Sequence, residues 1–428
     1  MQVIGYDGED PLFTGPGHIS IKSASHMEFM MHGHPAEAGL AFDRLMQARN
    51  NPYVNLDQLR VIAVDYEGVE WNCGWVDVDI GEVSQGIWHL SGSIQGIMTL
   101  DRRPSVRTEA GAELIYEGRL NVPVPMMSRE KLRNAASYSD EFSGGHATHH
   151  QVVEVDGGKV IFYRSELGKQ LWVTASDFSG IEYRLLENWL GEPLNILLGQ
   201  IVYPRLVARN MGDGSAQVSL RKISERTADP CISSLHRNDG RPQRFWELYA
   251  LILGMIVRAN DDSRDSDHHR LTHYYQEISQ ASLGSNWVLC MTLASVIEGV
   301  TRMMPLDDEA ELESDDEVEQ REQSIKSLVA HLDAWEGEEW LRERLMNSLR
   351  TAQEKGVIQL LKSFRDAGVI NKKHLDVWLS VRNRVMHGHL VSPWRTEDTD
   401  KKLKLLVEMV HRVSEAYIRK CVSVPASV

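Results

Sequence analysis

A segment near the end of the chain carries the residues best suited to chemistry. Arg382, Asn383 and His387 follow one another as Arg-Asn-x-x-x-His within VWLSVRNRVMHGHLV, residues 377–391. The apolar residues around them recur at the spacing of one helical face, with Arg382 in the middle of that face. These apolar residues are Leu375, Trp378, Leu379, Val385 and Met386. A guanidinium directed at a helical core is unfavourable unless a carboxylate or a phosphate compensates its charge. The position of Arg382 therefore predicts such a partner.

Glu298 is the carboxylate that the sequence offers for this role. SNWVLCMTLASVIEGVTRMM predicts an apolar helix with Ser285 as its N-cap. Glu298 shares a face of that helix with core residues, so we expect it to be buried and to meet the inward-facing Arg382 across two packed helices. Two interpretations stay open. The pair is a structural contact that fixes helix register, or it holds the guanidinium beside His387, ready for a phosphate.

The set fits RNA cleavage without a metal. Asn383 and His387 are four residues apart and share a helical face, whereas Arg382 and His387 differ by about 140° in helical azimuth. They converge on one ligand only because Arg is long and Gly388 is a natural residue to end the helix. A neutral imidazole can take the proton of a 2′-hydroxyl that attacks phosphorus, while a guanidinium stabilises the non-bridging oxygens. One Arg and one His also fit a histidine that merely caps its own helix.

The RNRVMHG segment resembles the signature of HEPN domains, in which Arg is followed after several residues by His and commonly directly by Asn. The apolar helix with Glu298 is similar to the acidic helix of the same families. A β-rich domain followed by a HEPN bundle is similar to the ApeA-like antiviral proteins of bacteria. The resemblance covers about residues 242–420 by motif and the N-terminal half by architecture only.

This resemblance implies a metal-independent endoribonuclease of an anti-phage, abortive-infection or toxin-like system. Arg382, Asn383 and His387 would then be catalytic and Glu298 would orient them, without a metal or cofactor. It also implies a homodimer through the helical domain, with two Arg-x4-His motifs facing one RNA cleft. RNA, with tRNA as one candidate, is the expected substrate, and a phage-derived or regulatory trigger would act on the N-terminal domain. The acidic insertion after Met304 departs from the family pattern.

The hydrophobic pattern changes about halfway along the chain. Residues 1–225 alternate apolar and polar residues between Gly, Asn and Asp, which predicts about eight strands of an antiparallel sandwich or open barrel. Residues 226–242 lack periodicity and are interpreted as a linker. Residues 243–428 predict a helical bundle, opened by an apolar helix, RFWELYALILGMIVRAN, that we expect to be covered on every side. The predicted fold class is therefore α+β, with a β-rich sensing domain and a helical HEPN-like domain.

Charge argues against a nucleic-acid binder that is basic overall. The net charge is −15 over 428 residues, and nine carboxylates lie between residues 306 and 319. That run is interpreted as a solvated loop or frayed helix start, with an acidic mimic of nucleic acid as the alternative. RNA contact must then come from basic residues near the motif, which could equally be ordinary solvated positions. These residues are Lys372, Lys373, Arg384, Lys401 and Lys402.

Metal sites have weak support in the sequence. The four cysteines form no CxxC pair, and neither the group His146, His149, His150 nor the group His268, His269, His273 has a recognised ligand pattern. Both groups are interpreted as exposed loops, and MHGHP, residues 31–35, as a strand end rather than a ligand pair. A metal-dependent hydrolase is thus one alternative function, and a non-catalytic HEPN-type binding or dimerisation module is another. No apolar run is long enough to span a membrane, so a cytoplasmic protein is expected.

Overall fold

The chain adopts an α+β structure that divides into two compact units. A computed structural model describes residues 1–5, 10–51, 54–102, 111–118, 120–124, 150–164, 169–176, 186–210, 215–223, 242–259, 264–265, 268–304, 315–353, 357–386, 388–389 and 396–423. The first unit comprises Met1–Thr227, Asn238–Val257 and Arg264–His268, and the second comprises Ala228–Arg237, Arg258–Ser263 and His269–Val428. Within the described ranges, none of the helices combines the length and hydrophobicity needed to cross a membrane.

The described residues of the first unit form strands and three helices. In chain order these are β1 (Gln2–Ile4), β2 (Phe13–Thr14), β3 (Gly17–Ile21), β4 (Met27–Pro35), α1 (Ala38–Asn50), β5 (Leu59–Val64), β6 (Glu70–Val76), β7 (Asp79–Ser84), β8 (Ile87–Ser93), β9 (Gly96–Arg102), β10 (Gly111–Glu117), β11 (Gln151–Val155), β12 (Gly158–Arg164), β13 (Gln170–Ser176), α2 (Leu186–Leu198), β14 (Leu206–Asn210), β15 (Ser215–Arg221) and α3 (Pro242–Arg258). A 3-10 turn, Asn55–Asp57, follows α1, and the short strands β16 (Arg264–Asp265) and β17 (His268–His269) pair with each other.

The strands β1 to β15 form one large antiparallel sheet. Its order is β11-β12-β13-β10-β14-β15-β9-β6-β5-β1-β2-β4-β8-β7, with β3 paired to β4. Two hairpins turn on paired residues with positive φ, Gln85 and Gly86 between β7 and β8, and Asp156 and Gly157 between β11 and β12. Such pairs match the right-handed twist of the flanking strands. The second of these turns carries an Asp-Gly pair, which is typical of such hairpins.

Helix α3 belongs with the sheet rather than with the helices that follow it. The Tyr249 hydroxyl donates a 2.9 Å hydrogen bond to the carbonyl oxygen of Leu190 in α2. The ring of Phe162 in β12 lies 4.7 Å from that of Trp246 and 5.0 Å from that of Tyr249, between centroids. The sequence pattern placed this helix in the helical domain because its apolar residues cover most of its circumference. Its contacts place it in the first unit, since the sheet and α2 cover it.

The second unit is helical. It contains α4 (Arg270–Ala281), α5 (Asn286–Arg302), α6 (Asp315–Asp333), α7 (Glu339–Gln353), α8 (Val357–Asp366), α9 (Lys372–Met386) and α10 (Glu397–Ser423). Helix α5 packs against α4, α8, α9 and α10, so it occupies the centre of this unit, while α6 and α7 pack on each other. The acidic run enters the described residues only at Asp315, the first residue of α6, because residues 305–314 lie outside them.

Candidate functional site

The candidate site lies where α5 and α9 pack together. Ser285 caps α5 as predicted, with its hydroxyl accepting a 3.4 Å hydrogen bond from the backbone N–H of Val288. Trp378 of α9 is fully buried, and its indole N–H donates a 3.1 Å hydrogen bond to the carbonyl oxygen of Ala294 in α5. Glu298 and Arg382 stand one turn further along each helix. The Trp378 contact therefore determines where these two side chains meet.

The predicted contact between Arg382 and Glu298 is present. The Nε of Arg382 donates to Oε2 of Glu298 at 3.2 Å, and Nη2 of Arg302 donates to the other carboxylate oxygen at 3.1 Å. Glu298 therefore holds two guanidinium groups. The prediction that this pair is buried is wrong, because the side chains of Arg382 and Glu298 are 33% and 26% exposed. The pair lies at the edge of the packed face, where a ligand from solvent can reach it.

The guanidinium of Arg382 also lies over an aromatic ring, that of Trp378. Its Cζ lies 5.7 Å from the centroid of the Trp378 ring, within the range of a cation–π contact. Within the described part of the chain, only its Nε makes a hydrogen bond, so the terminal nitrogens are not engaged there. Asn383 and Arg384, the next two residues of α9, are exposed. A guanidinium held on one edge and one face presents its remaining donors to an incoming anion.

Helix α9 ends in a Schellman motif. The N–H of Gly388 donates to the carbonyl oxygen of Val385 at 3.0 Å, and the N–H of His389 donates to that of Arg384 at 2.9 Å. Gly388 has φ +74°, a conformation that residues with a Cβ seldom adopt. The helix thus ends at the glycine that the sequence pattern indicated. His387 itself lies outside the described residues.

The N-terminus of α9 is held by a reciprocal cap. The Asn371 side chain accepts from the His374 N–H at 3.0 Å, while Nδ1 of His374 accepts from the Asn371 N–H at 3.2 Å. Nε2 of His374 lies 3.4 Å from Oε2 of Glu408 in α10. Burial lowers the pKa of His374, an effect that its contact with Glu408 opposes. The neutral imidazole suits this cap, because only an unprotonated Nδ1 can accept the Asn371 N–H.

The five basic residues predicted to contact RNA fall into two groups. Lys372 and Lys373 are exposed at the start of α9, and Arg384 is exposed near its end. On α10, Lys401 and Lys402 each lie 2.6 Å from a carboxylate one turn earlier in the same helix. Because a local carboxylate already neutralises these two lysines, they are weaker candidates for phosphate contacts than the residues of α9.

The histidine groups do not assemble into a metal site in the described residues, where no three His, Cys, Asp or Glu side chains are placed to hold one ion. His146 and His149 lie outside those residues. The prediction of an exposed loop is wrong for His269, which is 1% exposed. Its Nδ1 accepts from the Leu271 N–H at 3.1 Å and its Nε2 lies 3.5 Å from the Tyr417 hydroxyl. It caps α4, so its role is structural.

Comparison with protein-family models, with curated proteins and with solved structures finds no match to the chain. Two partly exposed arginines, bridged by one carboxylate and supported by a buried tryptophan, can bind a phosphate through charge-assisted hydrogen bonds.

Arg302 is the part of this site that the sequence pattern missed. It follows Glu298 by four residues, the spacing at which side chains on one helical face meet, so this signal was present in the sequence. Its side chain is 61% exposed, more than that of either partner. The second guanidinium makes the three-residue cluster positive overall, with two arginines against one glutamate.

Proposed function

We propose that the chain is a metal-independent endoribonuclease of the HEPN type that acts as a homodimer. The observation that carries this proposal is that Arg382 is held in place and yet accessible from solvent. Its guanidinium is fixed by Glu298 and Trp378 and is partly exposed, and its helix ends at Met386, the residue before His387 in the sequence. A phosphate-binding arginine must be accessible from solvent, as Arg382 is.

The proposed reaction is an RNA transesterification. His387 takes the proton from a ribose 2′-hydroxyl, the 2′-oxygen bonds to the adjacent phosphorus, and the bond to the 5′-oxygen of the next nucleotide breaks. The leaving oxygen takes a proton, which His387 of a second copy would supply. Arg382 stabilises the charge on the non-bridging oxygens, Asn383 contacts the same nucleotide, and Arg302 adds positive charge. The products are a 2′,3′-cyclic phosphate and a 5′-hydroxyl.

The direct test is cleavage of purified total RNA and tRNA in EDTA. We expect the unmodified protein to cleave, and His387→Ala and Arg382→Ala to lose cleavage with unchanged circular dichroism. His389→Ala is the matched control, since His389 is an exposed histidine two residues further on. Product ends are mapped by phosphatase sensitivity and ligation. Cleavage that needs added Mg²⁺, or that His387→Ala retains, would contradict the proposal.

The biological setting proposed is bacterial defence against phage or a toxin-like system in the cytoplasm, with the first unit responding to the trigger. Expression of the protein should then arrest growth only when the trigger is present, and Arg382→Ala should abolish the arrest. Arrest that is independent of Arg382 would separate the toxicity from the nuclease.

A second candidate function is a non-catalytic binding module of the same type. Helices α6 and α7 and the turn between them favour it, because none of the side chains described there is buried and four large apolar residues are exposed. They are Leu328, Trp335, Trp340 and Leu345. If this candidate is correct, no RNA is cleaved under any condition, and replacing both tryptophans by Ser lowers the mass measured by light scattering.

A further inference from the structure

Two histidines from separate strands face each other in the sheet of the first unit. His32 of β4 and His89 of β8 are direct cross-strand partners. Their ring centroids are 5.0 Å apart and their planes are inclined by 31°. In β4, Phe29, Met31 and Gly33 are buried while His32 is exposed, so this is the solvent side of the sheet at that point.

The separation of the rings suits two ligands of one metal ion. A histidine nitrogen binds Zn²⁺ at about 2.0–2.1 Å, which puts the centroid of each ring about 3.2 Å from the ion. Two such rings at the tetrahedral angle would have centroids about 5.2 Å apart. The observed 5.0 Å between His32 and His89 lies close to that value.

A glycine on the neighbouring strand makes room for this arrangement. A Cβ added to Gly81 of β7 would lie 2.9 Å from Nδ1 of His89. The backbone of Gly81 does not have a positive φ. The space taken by the His89 ring, rather than backbone conformation, is therefore what a larger residue at position 81 would disturb.

We propose that His32 and His89 together bind one transition-metal ion of the Zn²⁺, Ni²⁺ and Cu²⁺ class. Neutral imidazole is a common ligand of these ions, and Cu²⁺ binds most tightly of the three to a given set of nitrogen ligands. The described residues bring no group of three His, Cys, Asp or Glu around one ion, so the proposed site has two protein ligands there. The ion links β4 to β8. This site is independent of the proposed nuclease, which involves residues of the second unit only.

The test is a metal titration of the full chain after chelator treatment, with Ni²⁺ and Zn²⁺ followed by calorimetry. We expect His32→Ala and His89→Ala each to weaken one binding event by roughly tenfold or more. The double variant should lose less affinity than the sum of the two single losses, since each single variant already removes the chelate. Metal should also raise the melting temperature of the unmodified protein but not of these variants.

Two further variants test whether the metal binds at His32 and His89 specifically. His34→Ala is the matched control, because His34 is exposed on the same side of β4, and it should bind metal as the unmodified protein does. Gly81→Ala should weaken binding by displacing the His89 ring without removing a ligand. Unchanged affinity in His32→Ala and His89→Ala would overturn the proposal, as would equal losses in His34→Ala or additive losses in the double variant.

Discussion

The ion pair between Glu298 and Arg382 should contribute little to stability, and this distinguishes a ligand-binding role from a structural one. Two unit charges 3.2 Å apart attract by about 1.3 kcal/mol in water and about 5 kcal/mol at an effective dielectric constant of 20. Because both side chains are a quarter to a third exposed, the solvent-screened limit applies. Exposed pairs measured by double-mutant cycles give about 0.2–1 kcal/mol. We expect a coupling free energy of about 0.5–1 kcal/mol.

The two single variants should lose different amounts of stability. In Arg382→Gln the carboxylate of Glu298 keeps Arg302 at 3.1 Å, so this variant should lose the less stability of the two. Glu298→Gln leaves two guanidinium groups close together without a carboxylate between them. It should therefore lose more, up to about 1–2 kcal/mol, since two pairs are broken and like charges remain.

Hydrogen exchange of peptides from α9 is the suitable assay, because a chain with two compact units need not unfold in one step. The cycle comprises Glu298→Gln, Arg382→Gln and the double variant, at low and high salt. Added salt should reduce the coupling, as the Debye length falls from about 10 Å at 0.1 M to about 3 Å at 1 M. The pair Glu415 and Arg419 of α10, 2.9 Å apart with side chains 20% and 46% exposed, is the control.

A coupling above about 2 kcal/mol that salt does not change would refute this reasoning, since it would mark a desolvated structural pair. The register interpretation would then account for Arg382, and the phosphate interpretation would lose its main support. If the coupling is small and falls with added salt, Arg382→Gln should lose little stability but all RNA cleavage. Substitutions in the control pair should change stability and cleavage only slightly.

Three other predictions concern α9. Gly388→Ala should destabilise the end of the helix by about 1 kcal/mol, because Ala must adopt a left-handed conformation, and exchange of the last-turn amides should report it. Trp378→Phe should cost about 1–2 kcal/mol through the lost hydrogen bond and a small cavity, measured in the same way, and should lower cleavage by loosening Arg382. Because burial lowers the pKa of His374, the unfolded chain takes up its proton at a higher pH than the folded chain. The contribution of His374 to stability is therefore complete above about pH 6.5 and is lost as the pH falls below that value. His374→Gln should reduce the pH dependence of α9 opening, measured by exchange between pH 7.5 and 5.5, because Gln does not titrate in that range.

Much of the local structure was predictable because it depends on neighbours in the chain. The apolar period of α5 and α9, the Ser285 cap and the end of α9 at Gly388 all follow from spacing within one or two turns. The meeting of Glu298 with Arg382 was predictable for a related reason. A charged residue on an apolar face restricts its partner to an opposite charge on another such face.

The tertiary structure alone decided how far each side chain is buried. Arg382 and Glu298 lie at the edge of the α5–α9 contact rather than inside it, because helix packing sets which part of a face is covered. His269 is buried, although its sequence surroundings are polar, because the Tyr417 side chain of α10 packs beside it. Helix α3 joined the sheet because an apolar circumference does not specify whether strands or helices cover it.

The pairing of strands was the least predictable feature, and it gave rise to the second site. The sequence predicts only a strand end at His32, since nothing local in MHGHP indicates a ligand. Its partner, His89, comes from a strand on the other side of α1, β5, β6 and β7 in the sequence. Only hydrogen-bonded register between β4 and β8 brings the two rings together, and a shift of one residue would put one of them on the opposite face.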